Sequence, residues 1–134
     1  MTKFVQGATT LEVKDIKASE AFYREKLGFR PGLFFGEPPT FCLMSRDNVA
    51  LYLDLVRTPR PAPINQYWAV YFYVDDVDAV AAEFKSRGVT LDREVEDQPY
   101  GCRDFDVRDP DGHIIGIGQD DMSVQGKLTL PYAD

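Results

Sequence analysis

The chain says nearly the same thing twice, and that repetition constrains its fold more than any other feature. Val13-Lys14-Asp15-Ile16 and Val74-Asp75-Asp76-Val77 each close an apolar segment on an acidic residue, 61 residues apart. Lys26-Leu27-Gly28-Phe29 and Ser86-Arg87-Gly88-Val89 follow at an offset of 60, and Ser45-Arg46-Asp47 and Val107-Arg108-Asp109 at 62. A period of about half the chain means two half-domains and not a solenoid. Each half reads as a strand, a helix and three strands. The first strands fall near 5–13 and 67–74. Asp15 and Asp76 are helix N-caps, because a side-chain oxygen there satisfies free backbone N–H groups. Val77, Val80, Ala81 and Phe84 form one apolar helix face; Ile16, Phe22, Tyr23 and Leu27 form a looser one. Gly28 and Gly88 suit the left-handed residue that ends a helix. The remaining strands fall near 30–35, 39–45 and 48–55, then near 92–97, 102–108 and 113–118. Asp47-Asn48 and Asp109-Pro110-Asp111-Gly112 supply the turns before the last strands. Arg57-Thr58-Pro59-Arg60-Pro61-Ala62-Pro63 reads as a stiff connector.

The expected fold is therefore α+β: two tandem βαβββ modules forming a curled mixed sheet around a cleft. The 134 residues are expected to make one domain. Module one spans about 4–56, module two about 67–119, and a weakly patterned tail covers 120–134. No run approaches the roughly 18 apolar residues of a membrane span, and residues 1–6 lack the apolar stretch of a signal peptide. A cytoplasmic protein with no membrane partner is the expectation. Cys42 and Cys102 are too few for a disulfide scaffold and form no Cys-x-x-Cys pair, so they read as buried thiols. Asp and Glu number 22 against 15 Lys and Arg, a net charge of −7. That excess argues against a nucleic-acid partner, whose phosphates need a basic surface; it favours cationic ligands or serves solubility alone.

Strand alternation sorts the side chains. Leu11, Val13, Leu51, Leu53, Leu55, Val70, Phe72, Val74, Phe105, Val107, Ile115 and Ile117 fall on the helix side. Ala8, Thr10, Glu12, Ala50, Tyr52, Asp54, Ala69, Tyr71, Tyr73, Cys102, Asp104, Asp106, Ile114, Gly116 and Gly118 fall opposite. The second face is mixed: Tyr52, Tyr71 and Tyr73, with Trp68 or Tyr100 at its rim, beside Glu12, Asp54, Asp104 and Asp106. Aromatic rings supply contact area and cation–π attraction, and carboxylates supply negative charge. This combination suits a cleft for a flat, cationic ligand, although aromatics serve protein interfaces as well.

Two stretches carry a family resemblance. The segment Asp15-Ile16-Lys17-Ala18-Ser19-Glu20-Ala21-Phe22-Tyr23-Arg24-Glu25-Lys26-Leu27-Gly28-Phe29 is one. Tyr100-Gly101-Cys102-Arg103-Asp104-Phe105-Asp106-Val107-Arg108-Asp109-Pro110-Asp111-Gly112-His113 is the other. They resemble signatures of the vicinal oxygen chelate superfamily: glyoxalase I, extradiol dioxygenases, fosfomycin-resistance enzymes and bleomycin-resistance proteins. The resemblance covers about residues 5–119. Enzymes of that superfamily hold a divalent metal with four side chains, and the matching positions here are Ala8, Tyr52, Ala69 and Gly116. Metal ligation needs His, Asp, Glu or Cys donors; tyrosine loses its proton only near pH 10. The repeat supports the same placement, since Ala8 and Ala69 are 61 apart and Tyr52 and Gly116 are 64 apart. The single histidine, His113, reads as a surface residue beside a turn.

The resemblance thus points to the metal-free bleomycin-resistance branch. That branch implies a homodimer sequestering a cationic, partly aromatic compound, with no cofactor, no metal and no catalytic residue. The ligand-binding candidates are Tyr52, Asp54, Trp68, Tyr71, Tyr73, Tyr100, Asp104 and Asp106. Tyr100 stands where that branch often carries tryptophan, which retains a ring for stacking. Arg103 and Arg108 are expected to pair with nearby carboxylates. The alternatives are a glyoxalase- or dioxygenase-like enzyme with a non-standard site, with Asp54, Asp104 or Asp106 as acid–base candidates, and a small regulatory module.

Overall fold

A computed structural model describes residues 2–58 and 67–120. Most of the connector and nearly all of the tail lie outside the described residues. The two modules run β1 (Ala8–Val13), α1 (Ile16–Glu25), β2 (Leu33–Phe35), β3 (Phe41–Arg46) and β4 (Val49–Leu55), then β5 (Trp68–Tyr73), α2 (Val77–Ser86), β6 (Arg93–Asp97), β7 (Cys102–Arg108) and β8 (Ile114–Asp120). Each builds a four-stranded sheet, in the orders β1-β4-β3-β2 and β5-β8-β7-β6. Each first strand runs parallel to the last strand of its module, and the other pairs are antiparallel. The expected tandem βαβββ architecture is present. Among the described residues no helix is long and apolar enough to cross a membrane.

Local chemistry explains the helices. Asp15 accepts from the Ala18 amide at 3.0 Å, and Asp76 from the Ala79 amide at 3.1 Å, so both caps satisfy first-turn donors. Gly28 and Gly88 take φ values of +73° and +85° beyond the helix ends. At Gly28 a second constraint applies, because a Cβ would meet the Arg46 guanidinium at 2.7 Å.

Both modules contribute to one apolar core. Leu11, Val13, Tyr23, Leu27, Met44, Leu51 and Leu53 join Phe72, Val77, Phe84, Phe105, Val107, Ile115 and Ile117 in it. The Phe29 and Phe72 rings meet across the seam at 6.1 Å. Polar groups complete the junction. Tyr23, fully buried, donates to Asp109 Oδ2 at 2.9 Å, and Asp109 Oδ1 accepts the Asp111 and His113 amides at 2.9 Å each. Asp111 accepts the Lys14 amide at 2.9 Å. His113 is half-buried beside the turn, and its Nε2 donates to the Glu12 carbonyl at 2.7 Å. Cys42 and Cys102 are buried free thiols, and burial pushes the Cys42 thiol up to about 11.

At the other end of the seam, Arg46 donates to both oxygens of Glu83, at 2.9 and 2.7 Å, and to the Leu27 carbonyl. The Arg46 hydrogen bond holds the Glu83 carboxyl below the ordinary value of 4.5, against the opposing effect of burial. A folded-state value below the unfolded one stabilises the fold above the unfolded value. That stabilisation is lost as pH falls through the folded value. Asp109 has the opposite sign, since burial raises it above 3.8, and its contribution fades as pH rises through its folded value. Urea titrations between about pH 3 and pH 7 should therefore show stability falling below pH 4.5. Glu83→Gln should be less stable at neutral pH and should flatten that acid slope. An unchanged slope would show that Glu83 does not couple folding to pH.

A candidate small-molecule site on the second sheet

The face of the second sheet turned away from α2 is built by β5, β6, β7 and β8. Phe105 and Val107 enter the core, so Asp104 and Asp106 fall opposite, as the alternation of β7 requires. Phe72 likewise enters the core and leaves Tyr71 and Tyr73 on the other side. β5 contains one irregularity: Trp68 pairs with Ile114 and Val70 with Ile115, which makes Ala69 an extra, bulged residue. Two consequences correct the sequence reading. Ala69 packs against the core instead of pointing across the open face. Trp68 takes its place there.

The six candidates of module two form one network. Asp104, wholly buried, accepts from the Tyr71 hydroxyl at 2.9 Å and from the Tyr100 hydroxyl through its Oδ2. Asp106 accepts from the Trp68 indole N–H at 2.8 Å. The rings pack edge to face: Trp68 on Tyr71 at 4.7 Å, Trp68 on Tyr100 at 6.1 Å, and Tyr71 on Tyr73 at 5.0 Å. Burial, with the Asp104 carboxylate beside them, raises the Tyr71 and Tyr100 hydroxyls far above 10, so both stay protonated donors. Beside this wall lies a depression of about 200 Å³, lined by Tyr67, Trp68, Asp106 and Ile114.

Glycine makes the wall possible. A Cβ on Gly116 would lie 2.7 Å from the Trp68 indole nitrogen and 2.7 Å from Tyr71 Cδ2. A Cβ on Gly118 would collide with the Tyr71 hydroxyl oxygen. β8 therefore offers bare backbone for two rings to lie on.

Tyr52 and Asp54 do not join this network. They sit on β4, where Tyr52 packs on Phe41 at 5.5 Å, Phe41 meets Phe35 at 6.0 Å, and Asp54 pairs with Arg57 at 3.4 Å. Module one thus has its own aromatic face, with Leu33 and Phe35 exposed on β2. Arg103 and Arg108 behave as expected, pairing with Asp78 and Asp97 and with Asp92.

The sequence reading missed Arg93. Its Nη2 donates to Asp104 Oδ1 at 2.5 Å and to Asp106 Oδ1 at 3.1 Å, and its Nε donates to Asp106 Oδ2 at 3.1 Å. Burial works against its charge, but the bonds to Asp106 and Asp104 overcome that and hold it firmly protonated. Both carboxylates are consequently paired with Arg93, whose Nη1 also reaches Glu96 Oε1 at 3.4 Å.

The residues present do not fit a metal. Ala8, Ala69 and Gly116 have no donor atom, and Tyr52 offers a single phenol. Among the described residues no group of three or more His, Cys, Asp or Glu is placed to hold an ion.

Residues 6–117 match the model of the Glyoxalase/Bleomycin resistance protein/Dioxygenase superfamily. The chain belongs to this superfamily. Among solved structures, the bleomycin-binding protein of bleomycin-producing Streptomyces verticillus, complexed with copper(II)-bleomycin, is similar. It superposes with a TM-score of 0.70 at 25% identity, over 87% of this chain and 97% of that one. An antibiotic-binding protein from a Streptomyces species gives 0.69 at 27% identity, over 90% and 98%. The fold is also shared with lactoylglutathione lyase from Agrobacterium tumefaciens, at a TM-score of 0.64 and 24% identity over 84% and 90%. No curated protein matches the sequence.

Proposed function

We propose that this superfamily member binds a small molecule without a metal, capturing a planar, cationic aromatic compound on the wall of Trp68, Tyr71, Tyr73 and Tyr100. One observation carries this reading: the indole of Trp68 lies over Gly116, at one of the four positions where the superfamily's enzymes place a ligand. A ring tied down there turns a metal position into a stacking surface. Three carboxylic side chains, Asp104, Asp106 and Glu96, surround the single guanidinium of Arg93, and this acidic excess with the net charge of −7 favours a cation over an anion. The similarity to two antibiotic-binding structures supports the same reading. The aromatic face around Phe35, Phe41 and Tyr52 is suited to close the site in a homodimer, one copy's first module over its partner's second.

Thermal unfolding of metal-stripped protein tests the proposal. Bleomycin and the planar cation proflavine are compared with zinc, manganese and nickel ions. A compound at 100 times its Kd stabilises the native state by about 2.7 kcal/mol. The expected result is a higher melting temperature with one or both compounds and none with the ions. A larger shift with an ion would overturn the metal-free reading in favour of an enzyme with a non-standard site.

A further inference from the structure

We infer that Arg93 is the positioning residue of the aromatic wall, and that ligand recognition depends on its guanidinium fork rather than on its charge alone. The inference rests on the binding reading above for its functional half; its structural half stands without it.

Trp68, Tyr71 and Tyr100 each direct their polar atom at a carboxylate oxygen, and both carboxylates are fixed by the same guanidinium. Asp104 and Asp106 are two residues apart on one strand face, so their charges repel unless a cation lies between them. Arg93 does so in a plane, gripping Asp106 through two nitrogens and Asp104 through one. Such a fork sets direction as well as distance, whereas an ammonium is a point charge. A lysine could neutralise one carboxylate but could not align both. The ring orientations then follow from the fork: the indole N–H and both hydroxyls point inward, at the carboxylates.

The chain holds a single tryptophan, Trp68, so its fluorescence reports the wall and nothing else. Arg93→Lys is compared with Arg46→Lys. Arg46 is as exposed as Arg93, 29% against 28%, and also grips a carboxylate with two nitrogens, but that carboxylate is Glu83 at the module seam. Both variants should melt below the wild type. Only R93K should shift the indole emission to longer wavelength and raise its quenching by acrylamide. Only R93K should weaken proflavine binding, by about tenfold. R93Q, if it folds, should exceed R93K in both respects. An R93K protein with wild-type emission and quenching overturns the inference, as does an R46K protein that changes them equally. An indole that responds in R93K while proflavine binds neither variant nor wild type upholds the positioning role. In that event the binding reading fails separately.

Discussion

Asp109→Ala is expected to remove about 3–5 kcal/mol of folding free energy, because three buried or half-buried donors lose their acceptor together. The Tyr23 hydroxyl, on a side chain with no exposure, donates to Asp109 Oδ2, and the amides of Asp111 and His113 donate to Oδ1. Each orphaned donor costs about 1–3 kcal/mol, and the three share one side chain, so their losses do not simply add. The damage also spreads beyond the turn. Asp111 carries the Lys14 amide and Ser19, and His113 carries the Glu12 carbonyl, so this short hairpin docks module two onto β1 and α1. A domain of this size loses about 3–5 °C of melting temperature per kcal/mol, which places the variant about 10–20 °C below wild type. Tyr23→Phe removes one bond to a charged acceptor and leaves both amides satisfied, so about 2 kcal/mol is expected there. Asp109→Asn keeps an acceptor oxygen for the amides and should fall between wild type and alanine. Urea unfolding of the three variants decides the matter. A loss below about 1 kcal/mol for Asp109→Ala would mean that water or a turn rearrangement satisfies the orphaned donors, and that the hairpin does not hold the modules together.

Much of this molecule is legible in its sequence because the responsible interactions are local. An aspartate cap acts on an amide three residues away, and a left-handed glycine answers to its own backbone, so Asp15, Asp76, Gly28 and Gly88 identify themselves. Alternation places Asp104 and Asp106 on one face for the same reason. What escapes is register across strands. Asp97 pairs with Arg103 and Glu96 with Asp104. Continued without a break, that pairing sets Arg93 opposite Val107, a core residue. The irregularity between Arg93 and Glu96 shifts the partner by one, to Asp106, and a shift of one moves a side chain to the other face. The bulge at Ala69 does the same to β5 and hands the open face to Trp68. Bulges are consequences of packing between strands, so no pattern within one strand announces them. The charge run Arg93-Glu94-Val95-Glu96-Asp97 was the available signal, since one arginine among acids on a strand beside Asp104 and Asp106 needs a partner.

Trp68→Ala should weaken capture of a planar cation by at least about 2 kcal/mol, some 30-fold, while leaving the fold nearly as stable. The asymmetry follows from exposure: the indole is 41% exposed, so its removal leaves no closed cavity, yet it supplies the largest ring of the wall. Loss of the ring alone cannot separate stacking from a general change of surface. Gly116→Ala can, because it keeps the indole and displaces it. The new Cβ would sit 2.7 Å from the indole nitrogen and 2.8 Å from Cδ1, both ring atoms with no slack of their own. The ring must tilt off β8, and the 2.8 Å bond to Asp106 breaks with it. Proflavine affinity should then fall by about tenfold with tryptophan still present, and the indole emission should move to longer wavelength. Titration calorimetry on the two variants measures both losses. Wild-type affinity in folded Trp68→Ala would remove the wall from the binding site and direct attention to the Phe35–Phe41–Tyr52 face. A loss in Trp68→Ala without one in Gly116→Ala would mean that the ring matters but its seat on β8 does not.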